Sequence, residues 1–450
     1  MSTQTREGTH SSKGGFRESE GFAFVSGKNG TCTLKSVGKC HDLDIVIPTE
    51  SPNGDTVTAI GKKAFAGCKK VTSISLPDTI TVIGDGAFEN CEELVRFILP
   101  EGVLSVGKLA FSGCKKLSGI SLPSSLSFIG ESAFENCKGL KDITLPKGVS
   151  TIEKKSFSGC RSLVSVTIPE TITAIDEYAF QNCDSLKTIA VPDNVQRIGY
   201  CAFWGCSALS NITLPFVGAA KGETKASPKT HLGYIFGKKE YVGSISTATL
   251  PQWKIERDAI LYYLPQSLKK VTITGGIIFK EAFRNCTNVT DIILGDNVTA
   301  LEPYAFYQCR NLKTIIFGAG VKTLVHNFYS KCPELKSISL CNGLTKIQQN
   351  AFSYTSKITT LTIPQSVTLI EHGSFYGKYM EDNRLTQIVF ENPNDWVAIN
   401  QPPPRWNAQA SISIPVDAIT VTICASDIQN PTKAAQFLQD TYFSFDWHRK

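Results

Sequence analysis

Residues 60–82 read IGKKAFAGCKKVTSISLPDTITV, and this 23-residue pattern is written seven times in unbroken register up to residue 215. It generalises to Ile-Gly-x-x-Ala-Phe-x-x-Cys-x-x-Leu-x-x-Ile-x-Leu-Pro-x-x-Val-x-x. Each unit opens on an apolar residue, at Ile60, Ile83, Val106, Ile129, Ile152, Ile175 and Ile198. A fixed period of this length predicts a solenoid, because one unit can bury its apolar residues only against its neighbours.

The end of each unit has the pattern of a short strand. Ile74 and Leu76 alternate with serines, which places apolar side chains on one face and polar ones on the other. Pro77 lacks an N–H and ends the hydrogen-bonded ladder. The Ala-Phe-x-x-Cys segment would form a compact turn on the opposite wall. Stacked at about 4.8 Å, the coils would place Phe on Phe and Cys on Cys.

These motifs resemble the BspA-like leucine-rich repeats. The Leu-x-x-Ile-x-Leu core is similar to the leucine-rich-repeat strand motif, and the Pro and the Ile-Gly-x-x-Ala-Phe-x-x-Cys run are specific to this subclass. The resemblance covers about residues 40–390. It implies a right-handed, β-rich solenoid with short strands on one wall, turns or short helical segments on the other, and caps at both ends. It also implies a surface or secreted location, and it transfers no catalytic residue.

The pattern and its interruptions predict six segments. They are a flexible tail (1–20), an N-terminal cap (21–59), a first array of seven repeats (60–215), an insertion (216–267), a second, looser array (268–390) and a C-terminal cap (391–450). We expect strands near Phe22–Val25, Cys32–Leu34 and Leu43–Ile47 in the first cap. A short helix is expected from about Pro431 to Leu438 in the second.

Ten of the fifteen cysteines occupy one repeat position. Their spacing is explained by the repeat, and parallel Cβ vectors would not suit a disulfide. No Cys-x-x-Cys spacing for zinc occurs. We therefore expect small, buried, reduced side chains packed against the Phe ladder. The off-register pairs Cys32 with Cys40 and Cys201 with Cys206 stay open, and the sequence assigns no redox state to Cys32, Cys40, Cys201, Cys341 or Cys424.

Composition and motifs narrow the function classes. Apolar residues make up 42% and charged residues 19% of the chain, so a sizeable core is expected, and a net charge of +6 does not demand nucleic acid. No apolar run has the length of a signal peptide or a membrane span. The six histidines show no ligand spacing, and phosphate-binding and nucleophile-elbow motifs are absent. We expect no catalytic residue, metal or cofactor.

Three surfaces are candidates for binding. The first is the polar outer face of the strands, which includes Arg96. The second is a basic strip after the Cys position, where acidic residues also occur. The third is aromatic, beside the insertion. The candidate residues are Arg96, then Lys69, Lys70, Lys115 and Lys116, then Trp204, Tyr200 and Tyr178. For each surface the alternative is structural: β-propensity, a solvated edge, or packing of the insertion on the array.

The leading hypothesis is a monomeric, non-catalytic module that binds a protein or glycan ligand. The resemblance implies a role in adhesion or in host or cell-surface recognition. An intracellular interaction scaffold is the alternative, favoured by cysteines that look reduced. A third hypothesis is an accessory protein or enzyme with a site in the insertion. Neither nucleic-acid binding nor membrane insertion is expected.

Overall fold

The computed structural model describes residues 18–39, 41–249, 259–329, 331–352, 357–375, 385–400, 420–423, 425–441 and 445–449. Cys40, Cys424 and residues 1–17 of the predicted tail lie outside the described residues. The chain divides into two compact units: Met1–Val149 with Lys155–Arg161, and Ser150–Lys154 with Ser162–Lys450. Each unit is built of stacked β-coils, and the predicted solenoid class is confirmed. The right hand and the capping roles stay predictions.

The described residues of unit one form eleven short strands. They are β1 (Ala23–Ser26), β2 (Thr31–Ser36), β3 (Asp44–Val46), β4 (Thr56–Ile60), β5 (Ser73–Ser75), β6 (Val82–Ile83), β7 (Arg96–Ile98), β8 (Ser105–Val106), β9 (Gly119–Ser121), β10 (Phe128–Ile129) and β11 (Asp142–Thr144). The strands predicted between residues 22 and 47 are confirmed as β1, β2 and β3.

Unit two contains the remaining described strands. They are β12 (Thr151–Ile152), β13 (Ser165–Thr167), β14 (Ala174–Ile175), β15 (Thr188–Ala190), β16 (Arg197–Ile198), β17 (Asn211–Leu214), β18 (Ser244–Thr249), β19 (Ile260–Pro265), β20 (Lys270–Ile278), β21 (Asp291–Leu301), β22 (Thr314–Phe317), β23 (Thr323–Leu324), β24 (Ser337–Ser339), β25 (Lys346–Ile347), β26 (Thr360–Ile363), β27 (Leu369–Ile370), β28 (Gln387–Phe390), β29 (Trp396–Asn400), β30 (Thr420–Thr422) and β31 (Phe445–Arg449).

Helical structure in unit two is short. Two 3-10 turns, Pro228–Thr230 and Leu232–Ile235, lie in the insertion. Near the C-terminus α1 (Ala425–Gln429) precedes α2 (Pro431–Gln436), which continues into a π-helical turn. The predicted helix at Pro431 is thereby confirmed. Among the described residues, no helix has the length and apolarity needed to cross a bilayer.

The strands of unit one pair in parallel from coil to coil in the register that the period predicts. Ile60 lies opposite Ile83, Ile83 opposite Val106, and Val106 opposite Ile129. All four of these side chains are buried. The antiparallel hairpin β1–β2 adds to the same sheet, because β2 pairs with β4. One 23-residue step therefore moves the chain by one strand spacing.

The Phe ladder is confirmed. In unit one the rings of Phe88, Phe111, Phe134 and Phe157 stack with centroids 5.1–5.5 Å apart. All four rings are buried. Stacking in register lets each ring contact the ring above and the ring below, and burial of an aromatic side chain is among the largest stabilising terms that a residue can provide.

The ladder cysteines have a role beyond filling space. Their thiols donate to the carbonyl oxygen of a Phe in the preceding coil, at 3.1–3.2 Å, for Cys91, Cys114, Cys137 and Cys160. Each of these carbonyls also accepts the backbone N–H of the Cys in its own coil, so the thiol supplies a second donor to the carbonyl oxygen, which an Ala could not do. Burial raises the pKa of Cys114 to about 12, so the group stays a neutral thiol at neutral pH. The predicted buried, reduced state is confirmed for these four; the hydrogen bond was not predicted.

The residue before each ladder Cys alternates between Gly and Asn in unit one. All of these positions have left-handed backbone, with φ of 59–77° for Gly67, Asn90, Gly113, Asn136 and Gly159. A Cβ built on Gly113 would lie 2.3 Å from Oδ1 of Asn90, whereas one built on Gly67 meets nothing within 4 Å. Each Asn side chain therefore occupies the space over the Gly of the next coil. The surface formed by these alternating Gly and Asn residues repeats every two coils, and we call it the two-coil surface.

The C-terminal part of unit two ends in an antiparallel arrangement. β31 pairs with β27, with Trp447 opposite Ile370, and also with β29. Trp396 and Trp447 are both fully buried, and their centroids lie 6.4 Å apart. The two indoles therefore pack on the last strands of the coil stack.

Candidate functional site

The insertion (residues 216–267) does not interrupt the stack of strands in unit two. β17 and β20, which flank it, pair in parallel, with Asn211 opposite Lys270. These paired residues are 59 positions apart, against 23 for the preceding pair, Thr188 and Asn211. The insertion therefore belongs to one enlarged coil, which is 36 residues longer than a regular one.

Residues 231–236 of the insertion take the place of an Ala-Phe turn. The N–H of Phe203 donates to the carbonyl of Ile235 at 2.9 Å, as Phe N–H groups elsewhere donate to the Ala of the next coil. On the far side, the N–H of Leu232 donates to the carbonyl of Ala282 at 2.8 Å. The insertion thus completes the turn wall. It also provides the crossover that the parallel pairing of β17 with β20 requires, so deleting it would disrupt this pairing.

His231 is fixed inside this wall. Its Nδ1 accepts from the N–H of Gly233 at 2.9 Å, so Nε2 carries the proton and donates to the carbonyl of Arg284 at 3.1 Å. The ring stacks on Tyr262 with centroids 5.4 Å apart. Burial lowers the pKa of His231 to about 4, so the imidazole is neutral at pH 7. These contacts give His231 a structural role.

Two of the predicted binding aromatics hold the insertion to the array. The indole Nε1–H of Trp204 donates to the carbonyl of Lys239 at 2.7 Å, and its ring packs edge-on against Tyr241 at 5.5 Å. The hydroxyl of Tyr200 accepts from the N–H of Lys238 at 3.0 Å. These contacts agree with the structural alternative for Trp204, in which the ring packs the insertion on the array.

Tyr178, Tyr200 and Tyr234 form a cluster around Cys201. The Tyr200 ring lies 6.4 Å from Tyr178 and 5.5 Å from Tyr234, both edge-on. Cys201 is buried beneath them, and burial raises the pKa of its thiol to about 11. Burial likewise raises the pKa of Tyr200 to about 12. All four groups are therefore neutral at pH 7. Cys201 and Cys206, the off-register pair, are free thiols.

A second aromatic group follows two coils later. Tyr304 and Tyr307 lie edge-on at 5.9 Å. Lys280 lies over the ring of Tyr304 at 5.8 Å, while Arg284 at 4.8 Å and Lys331 at 5.4 Å lie over Tyr307. Cations over aromatic faces are attracted by the ring quadrupole. The group therefore joins aromatic area to positive charge.

Together the half-buried tyrosines on these turns form what we call the aromatic row. It consists of Tyr178, Tyr200, Tyr234, Tyr304 and Tyr307. Backbone hydrogen bonds link the turns in succession, from Phe203 to Ile235, from Leu232 to Ala282 and from Phe283 to Ala305. Sequence reasoning singled out Tyr178 and Tyr200 and missed Tyr304 and Tyr307. The signal was present, because Tyr304 holds the repeat position of Tyr178 and Tyr307 that of Trp204.

In unit one, the lysines of the predicted basic strip are interleaved with acidic residues. Glu92 accepts from Lys115 at 2.8 Å and lies 3.5 Å from Lys69 of the opposite neighbouring coil. Glu93 pairs with Lys116 at 2.6 Å. The hydrogen bond from Lys115, with the charges of Lys115 and Lys69, holds the pKa of Glu92 below its usual value. We call this arrangement the charge ladder; it offers an anion little unpaired charge.

The remaining sequence candidates belong to unit one, whereas the aromatic row belongs to unit two. Lys70 is exposed at the edge of the charge ladder. Arg96 points outward from β7 on the strand wall of unit one, and so does Ile98, which is 72% exposed. The structure therefore does not bring Arg96 or the four lysines together with Trp204, Tyr200 and Tyr178, which belong to unit two.

The repeat pattern matches the model of the BspA type leucine rich repeat region, in six copies over residues 48–161, 129–217 and 257–381. The chain belongs to this family. Leucine-rich-repeat coils of this kind serve as protein-binding scaffolds. No curated protein matches the chain.

Several solved structures resemble this BspA-type chain. A leucine rich cell surface protein of Faecalibacterium prausnitzii is 27% identical, with 84% of this chain and 96% of that chain covered and a TM-score of 0.43. A leucine rich repeat protein of T. pallidum is 30% identical over 43% of this chain and 91% of that one, with a TM-score of 0.39. A leucine-rich repeat protein of Bacteroides ovatus is 24% identical over 83% and 99%, with a TM-score of 0.37.

The family match leaves out residues 218–256. This stretch contains the turn at 231–236, Tyr234, and the segment that Tyr200 and Trp204 hold. The stretch between the matched ranges therefore contains the centre of the aromatic row.

Proposed function

We propose that the chain is a non-catalytic, protein-binding repeat module that acts in adhesion or host recognition outside the cell, with the aromatic row as its contact surface. One observation carries the proposal: five half-buried tyrosines occupy turn positions on four of five successive coils in unit two. Tyrosine supplies a large, rigid contact area at low entropic cost and a hydroxyl that bonds to polar groups.

The charges beside the row support recognition of a protein surface. Lys280 and Lys331 lie over the rings of Tyr304 and Tyr307 at 5.8 and 5.4 Å. Both lysines are exposed. Tyrosine is among the residue types that dominate interface hot spots, and exposed lysines beside it attract the acidic groups of a partner.

The reactive groups near the row support binding rather than catalysis. His231 is neutral at pH 7 and has both ring nitrogens engaged by backbone groups. Cys201 is buried, with a pKa of about 11, so its nucleophilic thiolate is almost absent at neutral pH. A general base needs a pKa near the working pH and access to substrate, and neither residue has both.

The test is binding of the purified chain to immobilised extracellular-matrix proteins, measured by surface plasmon resonance. Tyr178→Ala and Tyr304→Ala each remove one ring of the row, and neither ring holds the insertion in the way that Tyr200 and Trp204 do. We expect each variant to weaken a saturable interaction about tenfold or more, the usual cost of truncating an interface hot spot.

Phe128→Ala is the matched control, because it removes a ring that is 49% exposed in unit one. Its affinity should stay within about twofold of the parent chain, since truncations away from hot spots cost little. Equal affinities for all three variants would contradict the aromatic row as the contact surface. Absence of saturable binding to every matrix protein would contradict the adhesion role and favour the intracellular scaffold.

A further inference from the structure

On the strand wall of unit two, lysines stack in a column at the position just before each strand. The column is held by backbone hydrogen bonds that join residue 187 to 210, 210 to 269, 269 to 290, 290 to 313 and 313 to 336. Lysines occupy four of these six stacked positions. We call them the lysine column: Lys187, Lys269, Lys313 and Lys336. All four are exposed, and Ser210 and Thr290 fill the intervening coils.

The lysine column is less neutralised than the charge ladder of unit one. In the part of the chain that the structure describes, Lys187, Lys313 and Lys336 form no ion pair within 4 Å. Lys269 donates only to the carbonyls of Gln266 and Asn288. By contrast, Lys69, Lys115 and Lys116 each face a glutamate. Stacked like charges repel, so the column presents positive charge that this chain does not balance.

Asp291 and Glu334 flank the column, and their hydrogen bonds go to groups other than its four lysines. Asp291, in the strand beside Lys270, accepts from the hydroxyl of Thr290 at 2.7 Å. Glu334 pairs with Lys357 at 2.6 Å, outside the column. Lys357 first, and then Lys313 and Lys336, hold the pKa of Glu334 below its usual value. Glu334 is therefore paired mainly with Lys357, which is not part of the lysine column.

The spacing of the column is set by the coils. Lys187, Lys269 and Lys313 stand two coils apart, which is about 10 Å at the strand spacing of about 4.8 Å. This distance matches the length of one disaccharide in an extended polysaccharide. The whole column spans five coil steps, or roughly 24 Å. Acidic side chains on one face of an extended peptide would recur every two residues, at about 7 Å.

A short apolar strip, two isoleucines long, lies beside the middle of the column. Ile316 projects from β22, three residues after Lys313, and is 38% exposed. It lies opposite Ile293 of the neighbouring coil. The carbon-bearing faces of sugar rings can pack on such a strip while their acidic groups reach the lysines. A bare inorganic polyanion would gain nothing from it.

We propose that the lysine column binds an extended anionic polysaccharide that carries one acidic group per disaccharide. The site lies on the strand wall, whereas the aromatic row lies on the turn wall of the same unit, so this inference is independent of the proposed function. Several weak contacts along one polymer act together, because the first contact raises the effective concentration of the next.

The test uses the purified full chain and fluorescent hyaluronan oligosaccharides, which have one carboxylate per disaccharide, in fluorescence polarisation at increasing NaCl. Affinity should rise from the tetrasaccharide to the hexasaccharide and then level off, since three disaccharides of about 10 Å already cover a column of roughly 24 Å. It should fall with salt, because exposed charges are screened. The triple variant Lys187→Gln, Lys313→Gln and Lys336→Gln should bind the octasaccharide at least about fivefold more weakly.

The control is the triple variant Lys108→Gln, Lys115→Gln and Lys116→Gln, which removes the same charge from lysines that are paired with glutamates. It should retain the parent affinity within about twofold, since paired exposed lysines contribute little. Equal losses in both variants would reduce the effect to net charge and overturn the proposal. No binding by the parent chain, or tighter binding of a poly-glutamate peptide of equal charge, would also overturn it.

Discussion

Replacing Gly113 by Ala tests whether the two-coil surface is held by direct contact between coils. Gly113 and Gly67 occupy the same repeat position and have nearly the same φ, 76° and 77°. A methyl group on Gly113 would lie 2.3 Å from Oδ1 of Asn90, whereas on Gly67 it meets nothing within 4 Å. The pair therefore separates backbone strain from steric contact.

The two costs can be estimated from these distances. Left-handed backbone costs a non-glycine residue roughly 1–2 kcal/mol, and Gly67→Ala should lower the free energy of unfolding by about that amount. Gly113→Ala has the same strain, and the Asn90 side chain must also move away. Overpacking of this kind typically adds about 1–3 kcal/mol. The double variant Gly113→Ala with Asn90→Gly should recover the added part.

The assay is equilibrium urea unfolding followed by circular dichroism, with variants compared at a common slope. The double-mutant cycle should give a coupling of about 1–3 kcal/mol between residues 90 and 113. Equal destabilisation by Gly67→Ala and Gly113→Ala, or no recovery in the double variant, would refute the contact and leave backbone strain alone as the cause.

Three further predictions concern the core. Phe134→Ala should lower the free energy of unfolding by about 3–5 kcal/mol, whereas Phe128→Ala, at a ring that is 49% exposed, should cost far less in the same urea titration. The pKa of His231 is about 4 in the folded chain against 6.5 when exposed, so the contribution of the neutral ring to the free energy of unfolding is complete above pH 6.5 and is lost as the pH falls toward 4. The variant His231→Gln should therefore lose less of its free energy of unfolding than the parent chain does between pH 7.5 and 5. Cys114, with a pKa of about 12, should resist iodoacetamide at pH 8 until urea unfolds the chain; mass spectrometry would reveal any native labelling that contradicts this.

The regular coils could be predicted because the same residue type recurs at the same repeat position and has the same structural role in each coil. A Phe at every twenty-third position can be buried only against its equivalents, and the stack of Phe111 on Phe134 follows from the period alone. The thiol hydrogen bonds could not be predicted in this way. They depend on which backbone carbonyl faces Cys137 across the coil, and that requires the path of the turn.

The interpretation of the basic strip depended on which residues are neighbours. Along the chain, Glu92 follows Lys69 at a distance of 23 positions and reads as an interruption of the lysines. In space, Glu92 stands between Lys69 and Lys115 and contacts both. Because the coils stack, the glutamate that interrupts the lysines in sequence is their ion-pair partner in space. The same reasoning explains why the uncompensated lysines of unit two emerge only when the register across the insertion is known.

The insertion was the least predictable part, because no repeat marks its turn. Ile235 takes the place of the Ala in an Ala-Phe pair only by virtue of the bond it accepts from Phe203. Trp204 stood out by its residue type at a variable position, and that signal was sound. Its meaning differed, because the indole holds the carbonyl of Lys239 and serves first to fasten the enlarged coil.

The alternation of Gly and Asn bears on how such an array can change length. If recombination removed a single coil from unit one, two glycines or two asparagines would become neighbours. Removing or duplicating two adjacent coils keeps Gly and Asn in alternation, so each Asn still lies over a Gly of the next coil. The heritable module of this array is therefore a pair of coils, and relatives that differ from it by an even number of coils should retain these contacts.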